Sequence, residues 1–383
     1  MRRNNDFFLK RIADKTYILP VGQMVADHYK SVLVNSVGEY IWNLLDDDIS
    51  VSEIKQKCIN FFEASKEEES IVCSDIDSFI RELTELGMIL EGMKEKNLEF
   101  IKNVKIADIV IGFYGDKNCL TDAFDAFETG EKNGKADLRI EFVHDYVPMT
   151  LNGKTIIRNA PLEVMECEDR YILNFPESRE IVECQMNKEG NLVRFHTYSQ
   201  MSDEGKDLLF HAIRNVFLYK ALKKGIVAIH SVSIDYKGKA WLFSASSGTG
   251  KSTHASLWNK LYDTPVINGD LNLLGMKDGK PAVFGLPWCG TSDTYSSKEY
   301  ELGGIFLLKR NTSDFVEELS DAERILLVQK RLISPSWDFE MTDRELDIVT
   351  ELVENIKVAV LNCTKNDEAA RVMKKYIDEE LKR

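Results

Sequence analysis

Between residues 245 and 253 the chain reads Ala-Ser-Ser-Gly-Thr-Gly-Lys-Ser-Thr, a spacing suited to holding phosphate oxygens. Gly248 and Gly250 let the backbone bend until successive N–H groups point inward. A helical pattern follows, with Ala255, Leu257, Trp258 and Leu261, so a helix N-terminus adds partial positive charge at the same place. Lys251 can reach the β- and γ-phosphates of a triphosphate, and the Ser252 hydroxyl can ligate Mg²⁺. Ser246, Ser247, Gly248, Thr249, Gly250, Lys251, Ser252 and Thr253 are therefore the expected contacts to ATP, with Mg²⁺ as the accompanying ion. The strict pattern has glycine at the first position, where this chain has Ala245. The competing reading is a Gly/Ser surface loop with one lysine.

Phosphoryl transfer also needs a carboxylate for the metal and a group to take the acceptor's proton. A short β-type run, Thr264–Ile267, ends at Asn268-Gly269-Asp270, which puts Asp270 at a strand end beside the loop. Asp270 could equally be an ordinary turn residue next to glycine. His230 lies on the strand preceding the loop strand and could face the same crevice; a lone strand histidine is more often structural. Cys289 has no neighbouring histidine or lysine-rich stretch to activate it as a nucleophile.

Length and composition limit the rest. A chain of 383 residues exceeds the size of one ordinary hydrophobic core, so two or three domains are expected. A net charge of −14 disfavours nucleic acid or an anionic membrane as the main partner. Nothing resembles a membrane span or a signal peptide. Seven scattered cysteines without a C-x-x-C pair fit reduced thiols in a cytoplasmic protein.

The elements that position the loop follow from local signals. Val227–Ile234 and Ala240–Ser244 read as strands around the turn Lys237-Gly238. Leu271–Met276 and Ala282–Leu286 form a hairpin around Lys277–Lys280, Pro287–Ser292 is a loop, and Gly303–Lys309 is an apolar strand. Upstream, residues 93–204 read as a β-rich module whose chemistry names no site. Its expected strands are Ile106–Phe113, Leu138–Val143, Tyr171–Phe175, Ile181–Met186 and Leu192–Tyr198, with a hairpin tip at Asn187–Gly190. Ser202 and Gly205 then open a helix, Leu208 to Leu222, closed by Gly225.

Residues 1–92 read as a separate compact unit. Tyr17–Leu19 and Ser31–Val34 are β-type runs around a turn at Pro20 and Gly22. Three helix starts follow: capping boxes at Ser36/Glu39 and Ser50/Glu53, and a start at Ser74 whose helix ends at Gly87. The charge run Lys66–Ser70 between the second and third is expected as a solvated loop. The order is that of a winged helix. Yet the segment holds 10 Lys and Arg against 17 Asp and Glu, the wrong sign for binding phosphate backbones.

Two resemblances join these readings. The stretches AIHSVSIDYKGKAWLFSASSGTGKSTHASLW, VINGDLNLL, GLPWCGTS and GGIFLLKR resemble the kinase domain of the HPr kinase/phosphorylase superfamily, which is related to phosphoenolpyruvate carboxykinase, over roughly residues 205–380. The resemblance implies a mixed-sheet kinase domain closed by a helix, Asp367–Ile377. It implies catalytic roles for His230, Lys251 and Asp270, metal ligation by Ser252 and Asp270, and an acceptor side lined by Pro287–Ser292 and Arg310. This sequence has Gly269-Asp270 where that superfamily has two adjacent acids. Residues 7–90, with VLVNSVGEYIWNLLDDDISVSEI and FIRELTELGMI, resemble a PqqD-type domain. That implies a leader peptide adding as a strand beside Ser31, Val32, Leu33 and Val34.

The expected protein is thus an α/β (α+β) chain of three parts: 1–92 PqqD-like and winged-helix-like, 93–204 β-rich, and 205–383 the ATP-binding kinase domain. Its expected activity is transfer to a Ser or Thr hydroxyl of a peptide or small protein in modified-peptide biosynthesis; a homo-oligomer stays open. The alternatives are a non-catalytic, nucleotide-regulated peptide-binding protein and a small-metabolite kinase.

Overall fold

A computed structural model describes residues 1–45, 49, 51–63, 65–66, 68–90, 92–130, 135–144, 153–167, 169–246, 248–335, 337 and 339–382. The architecture is mixed α/β with several sheets. The chain forms two compact units, one built on Met1–Lys94 and the other taking in most of the remainder.

In the first unit three antiparallel strands, Phe7–Ile12, Lys15–Pro20 and Val32–Val34, form a sheet in that order. The first of them was not among the expected strands, though its sequence, FFLKRI, holds the β-favouring Phe7, Phe8 and Ile12. A single helical turn, Gln23–Ala26, stands where a plain turn was anticipated. Helices Ser36–Leu44, Val51–Phe61 and Glu69–Glu85 follow. Ile18, Trp42, Ile54, Cys58, Ile76 and Leu83 fill the core.

Two of the expected helix starts move. Asn35, not Ser36, caps the first helix, its Oδ1 accepting from Gly38 N–H at 2.9 Å. Glu39 is drawn away from a capping box because it accepts from the Thr16 hydroxyl at 3.1 Å. The third helix starts at Glu69, not Ser74, because Glu68 and Ser65 make a local nucleus: the Ser65 N–H and hydroxyl both donate to the Glu68 carboxylate, at 3.0 and 2.6 Å. Part of the charge run is therefore helical. Ser50 lies outside the described residues. Gly87 does end the third helix: at φ +69° it donates to Thr84 O while Met88 N–H reaches Leu83 O at 2.9 Å, the paired bonds of a left-handed cap.

The second unit holds two eight-stranded sheets. In the first, Ile109–Gly115, Leu138–Val143 and Leu192–Thr197 run parallel as neighbours. The run expected as one strand, Ile106–Phe113, is split by a tight turn, because Ala107 and Asp108 both adopt positive φ and reverse the chain between Phe100–Ile106 and Ile109–Gly115. Glu141 is fully buried between Arg139 and Arg194, each donating to it at 2.8 Å.

Helix Asp203–Lys223 leads from this sheet to the next. Ser202 Oγ accepts from Gly205 N–H at 3.0 Å, Asp203 and Glu204 occupy the first turn, and Lys220 and Lys223 the last, all agreeing with the helix dipole. In the second sheet Lys239–Ser244 pairs antiparallel with Val227–Tyr236 and parallel with Tyr300–Arg310. The hairpin Leu271–Lys277/Lys280–Phe284 joins those two strands on the other side. Five strands thus close on themselves, and Lys357–Cys363 extends the sheet in parallel from Tyr300–Arg310. Helices Lys251–Tyr262 and Asp367–Glu380 pack on this sheet around Phe243, Trp258, Phe306 and Met373. Residues from Val104 to Val360 share one further core. Among the described residues no helix is long and apolar enough to cross a membrane.

Candidate functional site

The loop after Ser244 keeps the bend that its glycines allow. Gly248 has φ +71° and Gly250 φ +122°, conformations that other residues adopt only with strain. Ala245 needs no such freedom. It lies outside the positive-φ residues and its side chain is buried in the sheet core, so glycine is not required there.

Gly250 then starts the helix Lys251–Tyr262, with no side-chain cap and no acidic residue in the first turn. The first intrahelical bond runs from His254 N–H to Gly250 O at 2.9 Å. The N–H groups of residues 250–253 consequently have no partner within the helix. An uncapped N-terminus of this kind, with its N–H groups and positive dipole end, suits an anion. The helix itself is seated by Ala255, Trp258 and His254. The Trp258 indole N–H donates to His254 Nε2 at 3.1 Å, so that ring nitrogen is the acceptor, and burial pushes the His254 pKa down to about 4.

Three cations converge on the loop. Lys251 Nζ folds back to the Ala245 carbonyl at 3.4 Å. Its pKa is lowered by burial and by Arg331, with Asp270 opposing. Arg331 donates from Nη1 to Ser246 Oγ at 3.0 Å. It is carried there by its own backbone, whose carbonyl accepts from His230 N–H at 2.9 Å. Arg310, expected on the acceptor side, instead donates to the carbonyls of Gly248 and Thr249. A cleft of about 570 Å³ opens beside these groups, walled by Leu307, Leu319, Leu327 and Val360 and edged by Arg310 and Arg331. Ser247 lies outside the described residues. Ser252 and Thr253 are exposed at the helix start.

His230 and Asp270, separated by forty positions, meet: Nε2 lies 3.0 Å from Oδ1. The contact follows from the sheet, since Val227–Tyr236 pairs with Leu271–Lys277, placing His230 opposite Leu271, and Ser231 N–H donates to Asp270 O at 2.9 Å. Asn268 shapes the turn, its Oδ1 accepting from the N–H groups of Asp270 and Leu271 at 3.0 and 3.1 Å. The loop Pro287–Ser292 closes over this corner. A Cβ on Gly290 would stand 2.8 Å from Asp270 Cγ, so the loop passes directly against the carboxylate. Among the described residues no cluster of three or more His, Cys, Asp or Glu could hold a metal. Asp270 and the Ser252 hydroxyl are hard oxygen donors of the kind Mg²⁺ takes while keeping most of its water.

Residues 31–34 lie in the first unit. Val32–Val34 is the outer strand of its sheet, Ser31 precedes it, and Leu33 is 55% exposed. A groove of about 590 Å³ runs along the strand, lined also by Lys15, Glu39, Phe79 and Glu82.

Arg331 was not foreseen. No local pattern marks an arginine after a surface helix, and only the strand pairing brings it to the loop. Arg214 was missed too: it lies mid-helix, and only the docking of Trp288 on Phe210 and Phe217 sets the face it shares.

No family model matches the sequence, and no curated protein matches it. Among solved structures, the Hpr(Ser) kinase/phosphatase from Coxiella burnetii is similar over 40% of this chain and 93% of that one, with 8% identity and a TM-score of 0.25.

Proposed function

We propose that the chain is an ATP-dependent phosphotransferase acting on a Ser or Thr hydroxyl of a peptide or small protein. The observation that carries this is the contact of His230 with Asp270 at 3.0 Å, in electrostatic reach of Lys251 at an uncapped, glycine-bent helix start. Lys251 and the N–H groups of residues 250–253 hold the triphosphate, and the apolar cleft beside Arg310 and Arg331 takes the nucleoside. Mg²⁺ held by Ser252 and Asp270 would neutralise phosphate charge. Asp270, oriented by His230, accepts the proton of the acceptor hydroxyl as its oxygen bonds to the γ-phosphorus. The bond from that phosphorus to the bridging oxygen breaks, and ADP leaves.

The N-terminal unit supports a peptide acceptor. An unpaired outer strand beside a groove is the arrangement to which an extended peptide adds as a further strand, with main-chain bonds supplying affinity. Held there, an acceptor reaches the site at high effective concentration. The modified-peptide setting rests on the PqqD-type resemblance.

The test is transfer of label from γ-labelled ATP, with Mg²⁺, to a panel of short peptides encoded beside the gene. Label on a Ser or Thr that is lost in Asp270→Asn supports the reading. Tight ATP binding with no transfer to any peptide supports instead a nucleotide-regulated peptide-binding protein, the reading that the single acid at 269–270 favours.

A further inference from the structure

Trp288 fixes the loop Pro287–Ser292 to the helix Asp203–Lys223. Its indole N–H donates to the Phe210 carbonyl at 2.9 Å, and its ring centroid lies 5.4 Å from those of Phe210 and Phe217. Positions 210, 214 and 217 share one stripe of a helix with 3.6 residues per turn. Arg214 therefore stands on the face that meets this loop, and His211, three residues earlier, is its neighbour on the surface. The same loop bears Gly290 against the Asp270 carboxylate. Helix stripe, loop and Asp270 enclose one corner.

Arg214 sits in that corner without a protein partner. Its Nε is buried and unbonded, as is His211 Nδ1, while His211 Nε2 lies 3.8 Å from Asp207 Oδ2; among the described residues no hydrogen bond or ion pair reaches the guanidinium. Leaving that arginine Nε donor buried without a bond is costly, and the terminal nitrogens of the fork, absent from the buried atoms, stay open to a ligand. The surroundings give a direction. Burial disfavours the Arg214 charge and Asp270 opposes that. His211 is held below its ordinary pKa by burial and then by Arg214, with Asp207 and Asp270 opposing. Lys251 feels Asp270 and Arg331 instead. Asp270 is the one carboxylate that acts on both sets of cations.

We propose that Arg214 and His211 hold an anionic group, phosphate or carboxylate, that the acceptor carries beside its reacting hydroxyl. The identification with the acceptor rests on the phosphotransferase reading; the anion site does not. The guanidinium fork binds two oxygens at once, which fixes how far the anion lies from the hydroxyl at Asp270. It also offsets the repulsion that Asp270 alone would exert on an acidic substrate.

The test uses the full chain carrying Lys251→Ala, which weakens the phosphate loop as a competing site. Thermal unfolding is followed during titration with inorganic phosphate and, separately, with acetate, at constant ionic strength. A saturable rise in Tm is expected with at least one anion, its half-saturating concentration increasing at least tenfold when Arg214→Met is added. Arg214→Lys, which keeps the charge but not the fork, should lie between. Response to phosphate alone identifies a phosphorylated acceptor, and response to acetate also identifies a carboxylate. The same titration with and without Arg214, or no saturable response to either anion, overturns the proposal. A fall in the ligand-free Tm of both Arg214→Met and Arg214→Lys also overturns it, by showing that the arginine serves the fold. Unchanged affinity of Lys251→Ala for a non-hydrolysable ATP analogue removes the phosphotransferase reading and leaves the Arg214 dependence as a separate result.

Discussion

Ser292 occupies the volume that a side chain at position 269 would need. A Cβ built on Gly269 lies 2.2 Å from Ser292 Oγ and 2.4 Å from its Cβ. Ser292 is itself held there, its hydroxyl donating to Cys289 O at 2.7 Å and accepting from Thr294 N–H at 3.3 Å. Glycine at position 269 is thus built into the packing of the loop against it.

Gly269→Ala is accordingly expected to destabilise the protein by about 1–3 kcal/mol through overpacking. Adding Ser292→Gly should recover most of that. Urea unfolding of the two variants decides the matter, and equal stability of wild type and Gly269→Ala would show that the loop yields freely. Gly269→Asp made alone tests loop strain rather than catalysis.

Lys251→Ala should weaken binding of a non-hydrolysable ATP analogue roughly 10–100-fold, the worth of one charge-assisted bond. Circular dichroism should be unchanged, because the ammonium contacts only a loop carbonyl at 3.4 Å. Calorimetric titration showing equal affinity would remove the loop from nucleotide binding.

His254 ties stability to pH. Its pKa is about 4 in the folded protein against an ordinary 6.5, so the unfolded chain takes up the proton first. The contribution of the neutral ring is complete above pH 6.5 and is lost as pH falls toward 4, at most roughly 3 kcal/mol. Unfolding free energies measured across that window should fall less steeply in His254→Gln than in wild type. Parallel curves would mean that the ring is protonated inside the fold.

Leu33→Asp places a charge on the exposed outer strand of the first unit. Affinity for a labelled acceptor peptide should drop at least tenfold with Tm unchanged, because Leu33 is already 55% exposed. An unaltered peptide affinity would direct the search away from this strand.

Much of the site was legible in the chain itself, for reasons confined to a few neighbouring residues. The bend at Gly248 and Gly250, the helix opening at Lys251, the left-handed ending at Gly87 and the start at Ser202 each depend on local backbone sterics and nearby donors. The strand around His230 was legible too, as an apolar run before a Lys-Gly turn. Where two local signals competed, order along the chain was not enough. Asn35 and Ser36 could both cap a helix, and a bond to Glu39 from Thr16, twenty-three residues away, tips the choice.

Pairing across the sheet decided the rest. His230 meets Asp270 because two antiparallel strands set their register. Arg331 reaches the loop because its carbonyl joins the edge of the same strand. Arg214 shares a helix stripe with Phe210 and Phe217, which Trp288 locks to a loop more than seventy residues later. Position along the chain determines which residue can bend, cap or carry charge; only the folded backbone determines which of those charges share a corner, because register and helix rotation are settled by burial summed over the whole core.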